Sequence, residues 1–243
     1  MRCEGIHFDA GRSDWRPEAG SLGELLDRLG VSPKRVRLNR SRAPATERDV
    51  VRLHKLTQLV HELADDVFIE KVTGPVQQAV ARRLAEAVHG WWVGRGGGGM
   101  ILTEGTALKL ADGLVRAPDV SFTDWSYWAT GRVVPVDPVP GLMPDLVADV
   151  QSPENTHTEM LRKLNDYFGA DVNLVWYIDP RKRTVRVFTS PDDVTELGEA
   201  DTLDGGDVLP GFAVEVARLF DQLAPAAKPA KPKANGKKPK KRK

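Results

Sequence analysis

The sequence predicts an α/β protein in which a mixed β-sheet is flanked by helices, preceded by a helical N-terminal extension and followed by a disordered basic tail. Three observations lead there. Apolar residues recur with helical spacing through roughly the first 90 positions, alternate with a period of two from Met100 onward, and return to helical spacing once, over 156–169. Helices, then strands, then a helix inserted between strands is the order expected when helices cover a mixed sheet.

The first helix is expected over 21–29 (SLGELLDRL), with Ser21 as cap, Leu22, Leu25, Leu26 and Leu29 on one face, and Gly30 as stop. After an Arg-rich connector at 34–42, a second helix should start near Thr46 and carry Val50, Leu53, Leu56, Leu59, Val60 and Leu63. A third spans about 75–88. The glycines at 96–99 then break the pattern; with no Gly-Lys-Ser/Thr behind them they read as a flexible turn, not a phosphate-binding loop.

MILTEG, TALKLAD and LVRAPDVSF read as strands joined by tight turns, one at Asp112-Gly113. Residues 123–143 hold prolines 135, 138 and 140 and read as a long loop beside a site, where Trp125, Tyr127 and Trp128 either cover the core or stack on nucleobases. A strand at 146–151 leads into the helix at 156–169, with Met160, Leu161, Leu164 and Phe168 as its apolar stripe and Arg162, Lys163 and Asp166 as its polar side. NLVWYID and TVRVFTS form a hairpin around 180–183, DTLDGGDVLPGF an edge hairpin turning at Gly205-Gly206, and VEVARLF a closing segment.

With 243 residues, 41% hydrophobic and 28% charged, the chain can bury one sizeable core. The single cysteine, Cys3, has no intramolecular partner, no run of apolar residues is long enough to span a bilayer, and the first fifteen residues lack the apolar core of a secretion signal. A cytoplasmic protein without a membrane partner is expected. Nine of the 35 basic residues lie in 228–243, which has no acid, leaving 26 basic against 34 acidic residues and a net charge of −8 in the remainder. The tail, rich in Lys, Pro and Ala, should be disordered; it is either an electrostatic arm for nucleic acid or a solubilising extension.

Two acidic strand motifs stand about thirty residues apart, APDVSF (117–122) and PDLVADVQ (144–151). Strand alternation sends Asp145, Val147, Asp149 and Gln151 to one face and Leu146, Ala148 and Val150 to the other. A carboxylate buried among apolar neighbours is costly unless paired, and two carboxylates converging on a divalent cation satisfy each other through it. The alternative is that Asp119 and Asp149 accept from backbone amides or pair with Arg116. His54 and His61, seven apart, lack a third ligand at useful spacing, and no G-x-S-x-G accompanies the Ser, His and Asp residues of a hydrolytic triad.

HELADDVFIEK (61–71), LVRAPDVSF, PDLVADVQSPENT, EMLRKLNDYF, VNLVWYIDPRKRTVRVF and LDGGDVLPGF together resemble the Uma-two family, a branch of the PD-(D/E)XK nuclease superfamily. The resemblance divides the chain into a variable extension (1–44), a restriction-endonuclease-like domain (45–220) and the tail (221–243). It implies that Asp119 is the PD aspartate and that Asp149 occupies a second acidic position where the family usually has glutamate. Lys163 matches a lysine that takes over from the strand lysine, because Gln151 stands where the (D/E)XK pattern puts it. Glu62 matches the acid of an E-L-x-D-G motif in which Asp66 replaces the glycine, and Gln77 stands where relatives have histidine or glutamate.

The implied activity is Mg²⁺-dependent hydrolysis of DNA phosphodiester bonds, with Mn²⁺ as a substitute cation and RNA as an alternative substrate. Asp119 and Asp149 would hold the metal with a carbonyl near Val150, Lys163 would orient water or stabilise phosphorane charge, Gln151 would help by hydrogen bonding, and Glu62 would complete the catalytic set. Cutting both strands implies a homodimer. The acidic body and the residues at Gln77, Asp66 and Asp149 motivate a different class of function, a catalytically silent module that binds DNA or a protein.

Overall fold

The computed structural model describes residues 21–223 apart from 40, 42, 104–105 and 126–133. Tyr127, Trp128 and the tail from 224 lie outside the described residues. Ser21 Oγ accepts the Glu24 N–H at 3.2 Å to start helix α1 (Leu22–Leu29), and Gly30 ends it at φ 65°. Strand β1 (Val36–Leu38) and helix α2 (Glu47–Thr57) follow.

The second helix does not continue to Leu63. His61–Ala64 form β2 and Val67–Glu70 form β3, an antiparallel hairpin turning through Asp65 and Asp66 at φ 49° and 61°. Aspartate tolerates left-handed backbone in tight turns, and pairing buries all four β2 residues. That burial outweighs the helical spacing of Leu56, Leu59 and Leu63. Helix α3 (Pro75–Gly94) runs a turn and a half past its expected end. Of the four glycines after it, Gly99 is already in strand β4 (Gly99–Thr103), where a Cβ would sit 2.4 Å from the Phe122 ring.

β5 (Leu108–Ala111) turns at Gly113, φ 72°, into β6 (Leu114–Arg116), and β7 (Val120–Asp124) follows. LVRAPDVSF is therefore two strands, and they belong to different sheets. β6 lies in an antiparallel sheet of order β1-β3-β2-β6-β5, whereas β7 belongs to a six-stranded sheet completed by β8 (Leu146–Val150), β9 (Leu174–Asp179), β10 (Thr184–Ser190) and β11 (Asp193–Leu197) in the order β11-β10-β9-β8-β7-β4. Pro118 lacks an N–H and suits the break in pairing. The chain thus passes from one sheet to the other at 117–119.

Only β8 and β9 pair in parallel within the larger sheet, and helix α4 (His157–Gly169) is the crossover that parallel pairing demands. β9 is buried at all six positions because both faces of the sheet are covered. On one face Val80, Leu84 and Val88 of α3 pack with Phe122, Leu146, Ala148 and Trp176; on the other Met160, Leu164 and Tyr167 of α4 pack with Val147, Val175 and Tyr177. The hairpin β12 (Thr202–Gly205) and β13 (Leu209–Glu215), with α5 (Val216–Leu219), closes the first of these cores.

The described residues between 21 and 44 are built into this architecture. β1 pairs with β3, and Leu25, Leu29 and Val31 pack on Ala64, Val67 and Ile69. Thr156 Oγ1 donates to the Gly30 carbonyl at 2.5 Å, and a Cβ on Gly30 would lie 2.6 Å from Thr158 Cβ. Among the described residues no helix is long and apolar enough to cross a membrane. Gly30→Ala, which combines positive φ with that clash, is expected to cost about 1–3 kcal/mol and to lower Tm by several degrees in thermal unfolding. An unchanged Tm would mean that α1 is not part of the cooperative unit.

Candidate active site

The passage between the sheets brings two carboxylates together. β7 and β8 pair Val120 with Ala148, so one step further Asp119 and Asp149 stand opposite each other. The Asp119 N–H donates to Ala148 O at 3.0 Å and Val150 N–H donates to Asp119 Oδ2 at 2.7 Å, which fixes the first carboxylate to the neighbouring strand. Both residues are buried.

Lys71, one residue beyond β3, points its ammonium at this pair. Nζ lies 2.9 Å from Asp119 Oδ1 and 3.1 Å from Asp149 Oδ1, and donates to Ala117 O at 2.5 Å. The Asp119 Oδ1 contact has ion-pair distance but not hydrogen-bond alignment, so this buried oxygen accepts no hydrogen bond. On the other side Lys163 Nζ lies 2.9 Å from both Asp149 Oδ2 and Glu62 Oε1, while the Tyr167 hydroxyl donates to Asp149 Oδ2 at 2.8 Å. Glu62 also accepts from the Ala117 N–H at 3.2 Å and from Arg116 at 2.9 Å, and Arg116 in turn binds Asp166.

The result is a line of alternating charge, Asp119, Lys71, Asp149, Lys163, Glu62, Arg116, Asp166, with four carboxylates against three cations. Burial alone would raise the pKa of Glu62, but Lys163 and Arg116 outweigh it and hold the group at about 2. Asp149 is likewise kept below the usual carboxylate range, with Lys163 and Lys71 overcoming burial. Asp119 goes the other way: burial raises it, and Lys71 only partly opposes that. For Lys163 burial is outweighed by Asp149 and Glu62, so it stays an ammonium.

The turn before α4 aims Lys163. Asn155 Oδ1 accepts from the Ser152 N–H at 2.8 Å, Thr156 Oγ1 accepts from the Glu159 N–H at 3.1 Å, and Glu159 forms a two-pronged ion pair with Arg35, 2.8 Å on each arm. Lys163 follows Glu159 by one turn on the same face. The expected stripe is thereby rotated: Glu159, Met160, Lys163, Leu164 and Tyr167 face inward, while Leu161 is 44% exposed. A lysine can replace leucine on a buried face here because two carboxylates meet its charge.

Asp119, Asp149, Lys163 and Glu62 therefore converge, and Glu62 is a buried strand residue, not a residue on a helix surface. Gln151 joins through its backbone: its N–H donates to Ile178 O at 2.8 Å and its carbonyl accepts from Gln77 Nε2 at 3.1 Å. Arg116 pairs with Glu62 and Asp166, and not with Asp119 or Asp149. His54 and His61 sit on separate elements, with each Nδ1 about 3 Å from Leu59 O. Sequence reasoning missed the roles of Lys71, Arg116 and Tyr167; a charged residue closing an apolar strand, as Lys71 closes VFIE, was the available signal for the first.

Among the described residues no three His, Cys, Asp or Glu side chains are grouped to hold a metal ion. A cation here would have two carboxylates and main-chain or solvent oxygens, a hard donor set of the kind Mg²⁺ accepts. The Asp119 Oδ1 atom without an aligned donor, and the convergence of two carboxylate oxygens with Ala117 O, fit such an ion. A cleft of roughly 650 Å³ runs between α3 and β4, past Gln78, Arg82, His89 and Ile101, and reaches Asp119.

Residues 49–217 match the model of the Uma2 family, described as "Putative restriction endonuclease". No curated protein matches the chain. Among solved structures, a protein from Anabaena variabilis described as "a putative nuclease belonging to DUF820" is similar at TM-score 0.60 and 16% identity, over 73% of this chain and 98% of that one. The likeness extends to the fold.

Glu62→Gln leaves Lys163 and Arg116 short of a counter-charge and is expected to cost about 3–5 kcal/mol at pH 7 in urea unfolding. Because folding lowers the pKa of Glu62, its contribution is full above the unfolded value of about 4.3 and is lost as pH falls toward about 2. The gap between wild type and variant should therefore close over that interval; a gap independent of pH would contradict the assignment.

Proposed function

Because this chain belongs to the Uma2 family, we propose that it is a Mg²⁺-dependent endonuclease that hydrolyses DNA phosphodiester bonds at the Asp119–Asp149 pair. The observation that carries this reading is the facing of the two carboxylates across β7 and β8, with one oxygen of each and Ala117 O meeting at a single point. Asp119, Asp149 and the Ala117 carbonyl would hold the cation. When bound, Mg²⁺ or Mn²⁺ polarises the scissile phosphate and lowers the pKa of the attacking water.

The side chains around the pair have separate tasks. Lys163 remains charged, so it orients water or stabilises negative charge on the phosphate and does not act as a base. Glu62 and Arg116 fix Lys163, and the Tyr167 hydroxyl sets the rotation of the Asp149 carboxylate. Aspartate at 149 is shorter than glutamate by roughly 1.5 Å. Lys163 and Tyr167 reach down to it from α4, which matches the site to the shorter acid. The cleft along α3 supplies the approach for the strand, the basic tail adds salt-sensitive affinity for DNA, and two copies of the chain would cut both strands.

Supercoiled plasmid incubated with Mg²⁺ or Mn²⁺ tests the proposal. The expected result is nicking by the wild type that an Asp119→Ala, Asp149→Ala double variant lacks; equal traces from both in either metal would leave the silent binding module as the better reading. Lys163→Met should slow nicking by about 10²–10³-fold, the cost of removing one preorganised charge donor, and wild-type rates in that variant would remove Lys163 from the chemistry. RNA of matched length in the same assay decides the polymer.

A further inference from the structure

The point at which two carboxylate oxygens and the Ala117 carbonyl meet is held by Lys71 Nζ, at 2.5–3.1 Å from all three. These are oxygens assigned above to the divalent cation. An ammonium and a dication repel each other and cannot share three oxygens at such distances, so one excludes the other.

Of the two lysines at the site, Lys71 is the one able to leave. Lys163 lies inside α4, is 4% exposed and is pinned between Asp149 and Glu62 at 2.9 Å from each. The Lys71 side chain is 12% exposed, follows the last residue of β3 and opens the irregular stretch before α3, beside Val72 at 36% exposure. Its contact with Asp119 Oδ1 has ion-pair distance but not the angle of a hydrogen bond.

We propose that Lys71 is a resident counter-ion of the Asp119–Asp149 pair that competes with the divalent cation, so that the site loads only as its ammonium swings out toward solvent. The proposal rests on the reading of Asp119 and Asp149 as metal ligands. It gives the fold a way to satisfy two buried carboxylates without metal, and it makes metal affinity a property of Lys71 as much as of the acids. A released ammonium stays at the mouth of the site, where a phosphate would arrive.

Calorimetric titration of Mn²⁺ alone into the full chain tests this. Lys71→Met should bind Mn²⁺ at least about tenfold more tightly than wild type, Lys71→Arg, which keeps the charge, no more tightly, and Asp119→Asn should bind none. Equal or weaker binding by Lys71→Met overturns the competition and leaves the metal site standing. Absence of binding in wild type and in Lys71→Met overturns the metal site and the competition together. A measurement on the wild type alone guards against a variant that does not fold: acylation by acetic anhydride, read by mass spectrometry, should label Lys71 several-fold faster with saturating Mn²⁺ while labelling of Lys163 stays unchanged. A Lys71 rate that ignores Mn²⁺ overturns the proposal.

Discussion

Seven buried or nearly buried charges in one alternating line join the two sheets and the crossover helix. Lys71, Glu62 and Arg116 come from the smaller sheet or its end, Asp119 and Asp149 from the larger one, and Lys163 and Asp166 from α4. Any one of these groups alone would be costly to bury, and deleting a single partner strands its neighbours. Set in alternation, each charge has an opposite on both sides, except at the ends. The rest of the local structure serves this line: the break at Pro118 carries the chain between sheets, the turn at 152–155 aims α4, and the pair of Arg35 with Glu159 secures that helix from the N-terminal side.

Much of the scaffold was legible in the sequence because it is local. The cap at Ser21, the stop at Gly30, the turn at Gly113 and the hairpin of β9 and β10 follow from residues a few positions apart. Asp119 and Asp149 were legible too, since carboxylates inside apolar strands ask for a partner. The second sheet was not. Leu56, Leu59, Val60 and Leu63 fit a helix well, and only pairing of β2 with β3 and β6, a contact between distant segments, converts the last of them to strand. For the same reason the helical pattern put Lys163 on the polar side of its helix, and only the resemblance brought it to the site: the groups that justify burying it lie at positions 62 and 149, and no local pattern announces them. LVRAPDVSF alternates as one strand would, yet its two halves find partners in different sheets.

The two acids are not equivalent. Asp149 is surrounded by Lys71, Lys163 and Tyr167, which hold it ionised, whereas Asp119 has one backbone donor and one poorly aligned ammonium. Such an environment gives one fixed anion and one carboxylate whose charge depends on a nearby cation. The N-terminal segment adds a feature outside residues 49–217, for Arg35 lies before the family match and still reaches α4 one turn from Lys163.

Everything functional turns on whether Asp119 and Asp149 share a divalent cation. Crystals of the full chain grown with Mn²⁺ and measured at the manganese absorption edge answer this directly. The account predicts an anomalous peak at bonding distance from one oxygen of each aspartate, with the Lys71 ammonium displaced from between them. Full-strength density for the ammonium in its place, with no anomalous peak beside either carboxylate, would contradict it.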